Sequence, residues 1–123
     1  MSVSKSIVTE AELSLLNALW EQAPLTAREL ADRVYGNTRT ATIGTVQKLI
    51  SRLEKKEMVL RDGQSSTHRF ETLLTREQIA GLQLEEFAAK LSAGSLSPFV
   101  AHLVQSRELT DAEKAEIRKI LED

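Results

Sequence analysis

"TVQKLISRLEKK", residues 45–56, sets Val46, Leu49, Ile50 and Leu53 at helical spacing and leaves Lys48, Arg52, Lys55 and Lys56 opposite them. With about 100° between successive residues of a helix, this spacing makes one apolar stripe and one basic face. The stripe requires a core; the basic face requires a different surface or water. Followed backward, the helix starts near Thr40 or Ala41 and adds Ile43 to the stripe. Its outward arc then reads Ala41, Gly44, Thr45, Lys48, Arg52 and Lys55, with Gln47 and Ser51 at the edge. Small side chains near the start allow close approach, and the long cations follow.

After this helix, "MVLRD" and "THRFET" have strand-like composition and are joined by Gly63, Gln64, Ser65 and Ser66, which predicts a β-hairpin with a polar tip. Val59 and Phe70, with Leu60 beside them, are expected to pin it to the helices. Before it, Thr9 with Glu12 and Thr26 with Glu29 match the capping box, in which the hydroxyl accepts from a backbone N–H and the acid reaches back to the cap. Thr75 with Gln78 and Thr110 with Glu113 repeat the pattern. Helices are therefore predicted over about 10–21, with Leu13, Leu15, Leu16, Leu19 and Trp20 forming a broad apolar face, and over 27–35, ended by Gly36. The residues between them, "APLT", read as a turn. Further helices are predicted over 76–91, from a Ser97 cap with Pro98 at the first position to about Arg107, and from Thr110 to the C-terminus.

The 123 residues suit one modest domain or two small ones. Only five aromatics, Trp20, Tyr35, Phe70, Phe87 and Phe99, leave a core built from Leu, Ile, Val and Ala. The absence of cysteine excludes disulfides, thiolate metal sites and cysteine nucleophiles. No apolar run approaches the roughly 18 residues that a membrane span needs, so no membrane partner and a cytoplasmic location are expected. His68 and His102 have neither the spacing of a metal pair nor a nucleophile or paired carboxylates beside them, and the scattered glycines form no phosphate loop. An enzyme is not expected, and neither is a cofactor.

Net charge is −2, but it is unevenly spread. Residues 39–69 hold seven basic and three acidic side chains, a local balance of +4, whereas residues 75–123 hold six basic and nine acidic, a balance of −3. One part of the chain suits a polyanion and the other does not. The order helix, short turn, helix, hairpin is that of a winged helix-turn-helix, whose recognition helix enters the major groove of DNA. The expected fold is mainly α with a small β-hairpin: a winged-helix DNA-binding domain over 1–73 and a helical dimerisation domain over 74–123. Thr40, Gly44, Thr45, Gln47, Lys48, Arg52 and Lys55 on the helix, with Arg61, His68 and Arg69 on the hairpin, are the expected DNA-binding residues.

The C-terminal helices carry more apolar side chains than about fifty residues can bury among themselves. Packing on the N-terminal domain is one outlet for Phe87, Leu91, Phe99, Val100, Leu103, Val104, Ile117, Ile120 and Leu121; a homodimer interface is the favoured one, since it buries the surplus and two-fold protein symmetry suits a palindromic DNA site. The alternative is a winged-helix protein-interaction module without sequence-specific DNA binding. The +4 balance separates the two, because a protein-binding wing would not require it. A ligand-sensing regulator is a third option, but nothing in the sequence marks a pocket.

In order along the chain, "TEAELSLLNALW" (9–20), "LTARELADRV" (25–34), "TVQKLISRLEKKEMV" (45–59), "HRFETLLTREQ" (68–78) and "LTDAEKAEIRKILED" (109–123) resemble the penicillinase repressor family of bacterial transcription regulators, which includes methicillin-resistance and copper-responsive repressors. The resemblance implies a winged-helix homodimer, joined through its C-terminal helices, that represses genes from a palindromic double-stranded operator. It also implies a regulatory protease as partner, since the β-lactam branch is inactivated at an Asn-Phe bond in the dimerisation region. Two departures stand out. The chain lacks the cysteine motif of the copper-responsive members, and His102 and Leu103 stand where the spacing to "ELT" would place the Asn-Phe bond.

Overall fold

The computed structural model describes residues 7–63, 67–91, 93–106 and 109–122. Among the described residues six helices and three strands follow one another as α1 (Glu10–Glu21), β1 (Leu25–Thr26), α2 (Ala27–Tyr35), α3 (Thr40–Lys55), β2 (Val59–Asp62), β3 (Arg69–Thr72), α4 (Arg76–Leu91), α5 (Ser97–Gln105) and α6 (Asp111–Glu122). This is a winged helix-turn-helix followed by three further helices. The polar hairpin tip at Gln64–Ser66 and the expected end of α5 at Arg107 lie outside the described residues.

All four capping boxes form. Thr9 Oγ1 accepts from Glu12 N at 3.2 Å and Glu12 Oε1 accepts from Thr9 N at 2.9 Å. Thr26 and Glu29 repeat this at 3.0 and 2.9 Å, Thr75 and Gln78 at 3.1 and 2.8 Å, and Thr110 and Glu113 at 3.1 and 3.0 Å. Gly36 ends α2 at φ 75°, a left-handed conformation that side chains resist. At α5 the expected cap fails. Leu96 occupies the cap without a side-chain hydrogen bond, and Ser97 is already helical.

The core of the winged helix is built from Leu15, Leu16 and Leu19 of α1, Leu30 and Ala31 of α2, and Val46, Leu49, Ile50 and Leu53 of the predicted α3 stripe, all buried. Ile43 packs against it partly buried. Leu13 is exposed, because α1 meets its neighbours along a narrower face than its leucines span.

The sheet has three antiparallel strands in the order β1-β3-β2. Strand β1 falls in the segment whose composition reads as a turn. Its two residues pair with the hairpin, Leu25 opposite Phe70 and Thr26 opposite Arg69, so the segment between α1 and α2 also braces the wing. Period-two alternation places Val59 and Phe70 on the buried face and Leu60 outward, so Leu60 does not help to pin the hairpin.

The chain divides into two compact units, Met1–Glu86 and Phe87–Asp123. The first continues past residue 73, the boundary expected from the sequence. Ile79 of α4 is buried in the winged-helix core, with Leu74 and Leu82 packed beside it. Trp20 Nε1 donates to the Leu74 carbonyl at 3.0 Å, and the Arg76 guanidinium lies 5.0 Å from the Trp20 ring centre.

Candidate nucleic-acid interface

Burying the stripe of α3 turns its other side to solvent. Thr40, Thr45, Gln47, Lys48, Arg52 and Lys55 are exposed there, and Gly44 is half-buried. Thr45 donates its hydroxyl to the Ala41 carbonyl at 3.1 Å, which leaves the oxygen's acceptor side outward. Among the described residues Lys48 and Lys55 take part in no ion pair, so their charge is available to a partner.

Lys56, which the helical period assigns to that basic face, turns the other way. Its Nζ donates to Glu12 Oε1 and Oε2 at 2.7 and 2.9 Å and to the Ile7 carbonyl at 2.6 Å. Glu12 is fully buried. The same carboxylate lies 3.5 Å from Nε of Arg52, which stays half-exposed. One carboxylate thus ties the start of α1 to the end of α3 and leaves the outer nitrogens of Arg52 available. Burial alone would raise the Glu12 pKa, but hydrogen bonds from Lys56 and Thr9 and the Lys56 charge outweigh it, so the group lies below the usual glutamate range. Nothing in the sequence signals this pair, since capping by itself accounts for Glu12.

On the wing, Arg61 forms a two-pronged pair with Glu54 of α3, Nε to Oε2 at 3.0 Å and Nη2 to Oε1 at 2.9 Å. Its guanidinium also lies 5.1 Å from the Phe70 ring centre, and the Glu54 hydrogen bond raises its pKa. Arg61 therefore first fastens the wing to α3, and only part of its field reaches outward. Arg69 is half-exposed, 4.0 Å from Glu29, and His68 is exposed with Nδ1 3.2 Å from the Asp62 carbonyl. Between the start of α2, the middle of α3 and the wing runs a groove of about 400 Å³, lined by Arg28, Gln47, Ser51, Arg61, Thr67 and His68 above Ile43 and Phe70. Arg28 is not legible as a site residue in the sequence, where α2 shows only its apolar spacing.

In the second unit no described residue of α5 or α6 is buried. Leu91, Ile120 and Leu121 are 73%, 64% and 79% exposed, large values for leucine and isoleucine. Phe87, Val100, Leu103, Val104 and Ile117 are also exposed, while Phe99 is half-buried. Among the described residues no cluster of His, Cys, Asp or Glu could hold a metal, and no helix is long and apolar enough to cross a membrane.

A family model described as penicillinase repressor matches residues 8–123. The Penicillinase repressor of Staphylococcus aureus is 25% identical over 116 residues, which cover 94% of this chain and 91% of that protein. The Methicillin resistance regulatory protein MecI of Mammaliicoccus sciuri is 24% identical over 114 residues, 93% of this chain and 92% of that protein. Among solved structures, a MarR family protein from Bacillus stearothermophilus aligns with TM-score 0.49 and 22% identity over 86% of this chain and 76% of that one.

Proposed function

Because this chain belongs to the penicillinase repressor family, whose members are DNA-binding transcriptional repressors rather than enzymes, we propose that it is a homodimeric repressor of a palindromic operator, acting in the cytoplasm. The observation that carries the reading is the outer face of α3. It offers small and hydroxyl side chains first and, further along, the cations Lys48 and Lys55, which take part in no ion pair among the described residues, on a helix that buries Val46, Leu49, Ile50 and Leu53 in the core. A helix so presented fits the major groove, with Thr45, Gln47 and Lys48 at base edges and Arg52, Lys55 and the wing at phosphates.

Alanine at Lys48 and at Arg52 separates base reading from phosphate contact. Lys48→Ala should cost about 1 to 3 kcal/mol on the operator and narrow the gap between operator and random duplex. Arg52→Ala should weaken both duplexes alike and flatten the salt dependence by roughly one unit. Fluorescence anisotropy over a salt series measures both, and unchanged operator affinity in the two variants removes α3 as the reading helix.

The exposed apolar side chains of the second unit support a dimer formed there, and a dimer supports two half-sites held together. Relief of repression fits cleavage within α5, because a cut at His102–Leu103 severs α6 from the rest of the chain and with it part of the apolar surface that supports the dimer. A protease that requires an amide side chain before the scissile bond would not cut there, since His102 presents an imidazole. Blotting the repressor before and after induction should show a shortened chain; an intact chain alongside full derepression would exclude cleavage.

A further inference from the structure

The groove beside α3 brings Arg28, which the reading of α3 as recognition helix does not use, together with His68 of the wing. Arg28 stands on the first turn of α2, exposed and in no ion pair among the described residues. Across the groove, His68 places Nδ1 3.2 Å from the Asp62 carbonyl. A carbonyl oxygen only accepts, so Nδ1 must carry the proton and donate, and the neutral ring then presents Nε2 as an acceptor. Neutral His68 offers a phosphate oxygen no hydrogen on Nε2. Protonated His68 offers one.

The groove floor is apolar, through Ile43 and Phe70, and its α3 wall contributes the neutral donors Gln47 and Ser51. Of the charged groups around His68, Arg28 and Glu29 come from α2, Arg61 and Asp62 from β2, and Arg69 from β3. Glu29 lies beside Arg69, and Glu54 of α3 is held by Arg61, so these two acids are matched to cations other than Arg28. Hydroxyl and amide donors beside an unmatched guanidinium suit a phosphodiester strand better than a carboxylate-rich protein or an apolar ligand.

We propose that this groove seats one strand of the operator backbone, with Arg28 as its constant phosphate contact and His68 as a contact made only when the imidazole takes up a proton. The proposal rests on the DNA-binding reading above and adds to it a second contact line beside α3. It also adds a proton linkage. With Nδ1 committed to the Asp62 carbonyl, a phosphate oxygen in the groove can accept a hydrogen bond only from the protonated ring. DNA binding therefore takes up a proton, and affinity rises as pH falls.

Phosphate contacts ignore sequence, so a short duplex of random sequence is a sufficient probe. In the full chain, Arg28→Ala should lower the slope of log affinity against log salt by about 0.9, the amount that one neutralised phosphate supplies, and Arg28→Lys should keep most of that slope. Wild type should gain on the order of threefold to tenfold in affinity between about pH 7.5 and pH 5.5, because uptake of a single proton raises affinity by at most tenfold for each pH unit. His68→Ala should lose that gain. Lys90→Ala, an exposed change on α4 at a residue that does not line the groove, is the reference. Circular dichroism and melting curves check that all four variants keep the fold. An unchanged salt slope in Arg28→Ala, or a pH response that survives in His68→Ala, overturns the groove as a phosphate seat while leaving α3 as the reader. A wild type with no salt-dependent duplex binding instead overturns the DNA-binding reading itself.

Discussion

Replacing Glu12 with alanine should lower the unfolding free energy by about 3 kcal/mol, as much as truncating a core leucine. The carboxylate is fully buried, and Lys56, whose side chain is only 16% exposed, loses both short contacts to it and keeps only the Ile7 carbonyl. Removing one partner of such a pair strands the other charge away from water, which costs more than the pair itself contributes. Glu12 also serves as the far half of the α1 capping box, so the free N–H of Thr9 adds to the loss. Urea titration with a helix-sensitive signal measures the change; a loss below about 1 kcal/mol would show the pair to be dispensable.

Glu12→Gln isolates the charge. The folded-state pKa of Glu12 lies below its unfolded value, so the ion pair contributes stability above the usual glutamate range, and that contribution disappears as pH falls through the depressed folded value. Wild type should therefore lose stability on acidification with a component that Glu12→Gln lacks. Parallel curves for the two proteins from neutral to acid pH would contradict the assignment.

The second large effect belongs to the C-terminal helices. If the proposed dimer forms through this face, changing Ile120 and Leu121 together to aspartate should leave a monomer and weaken binding to a two-half-site duplex by roughly 10² to 10⁴, the range lost when linked binding becomes single-site binding. Both side chains are already largely exposed on the single chain, so the fold of the monomer should tolerate the change. Two acids on this face would have to be buried without partners in an interface. Sedimentation velocity reads the mass directly. The palindromic duplex can be selected from a random pool with the wild-type protein, and a single half-site duplex is the control whose affinity should hardly move. A dimer that survives the double substitution would place the interface elsewhere on the chain.

What the sequence determined by itself is local. Capping boxes close within one helical turn, so Thr9, Thr26, Thr75 and Thr110 announced their helices without reference to the rest of the molecule. The stripe from Val46 to Leu53 named its buried side because a helix can bury only one face of that width, and the opposite face followed as the exposed one. Strand β1 escaped because two residues are too few for an alternation, and they are strand only through pairing with Phe70 and Arg69 far along the chain. The direction in which a long cation points is likewise a tertiary matter. Lys56 and Lys55 are adjacent in the sequence, yet Lys56 turns inward to a carboxylate 44 residues away, while Lys55 remains exposed. Arg61 is drawn to Glu54 in the same manner, and Arg28 gained its place only when α2, α3 and the wing closed a groove around it. Helical periodicity fixes angles about an axis within a few residues. Which charges meet depends on how axes pack, and that depends on the buried surfaces of the whole core.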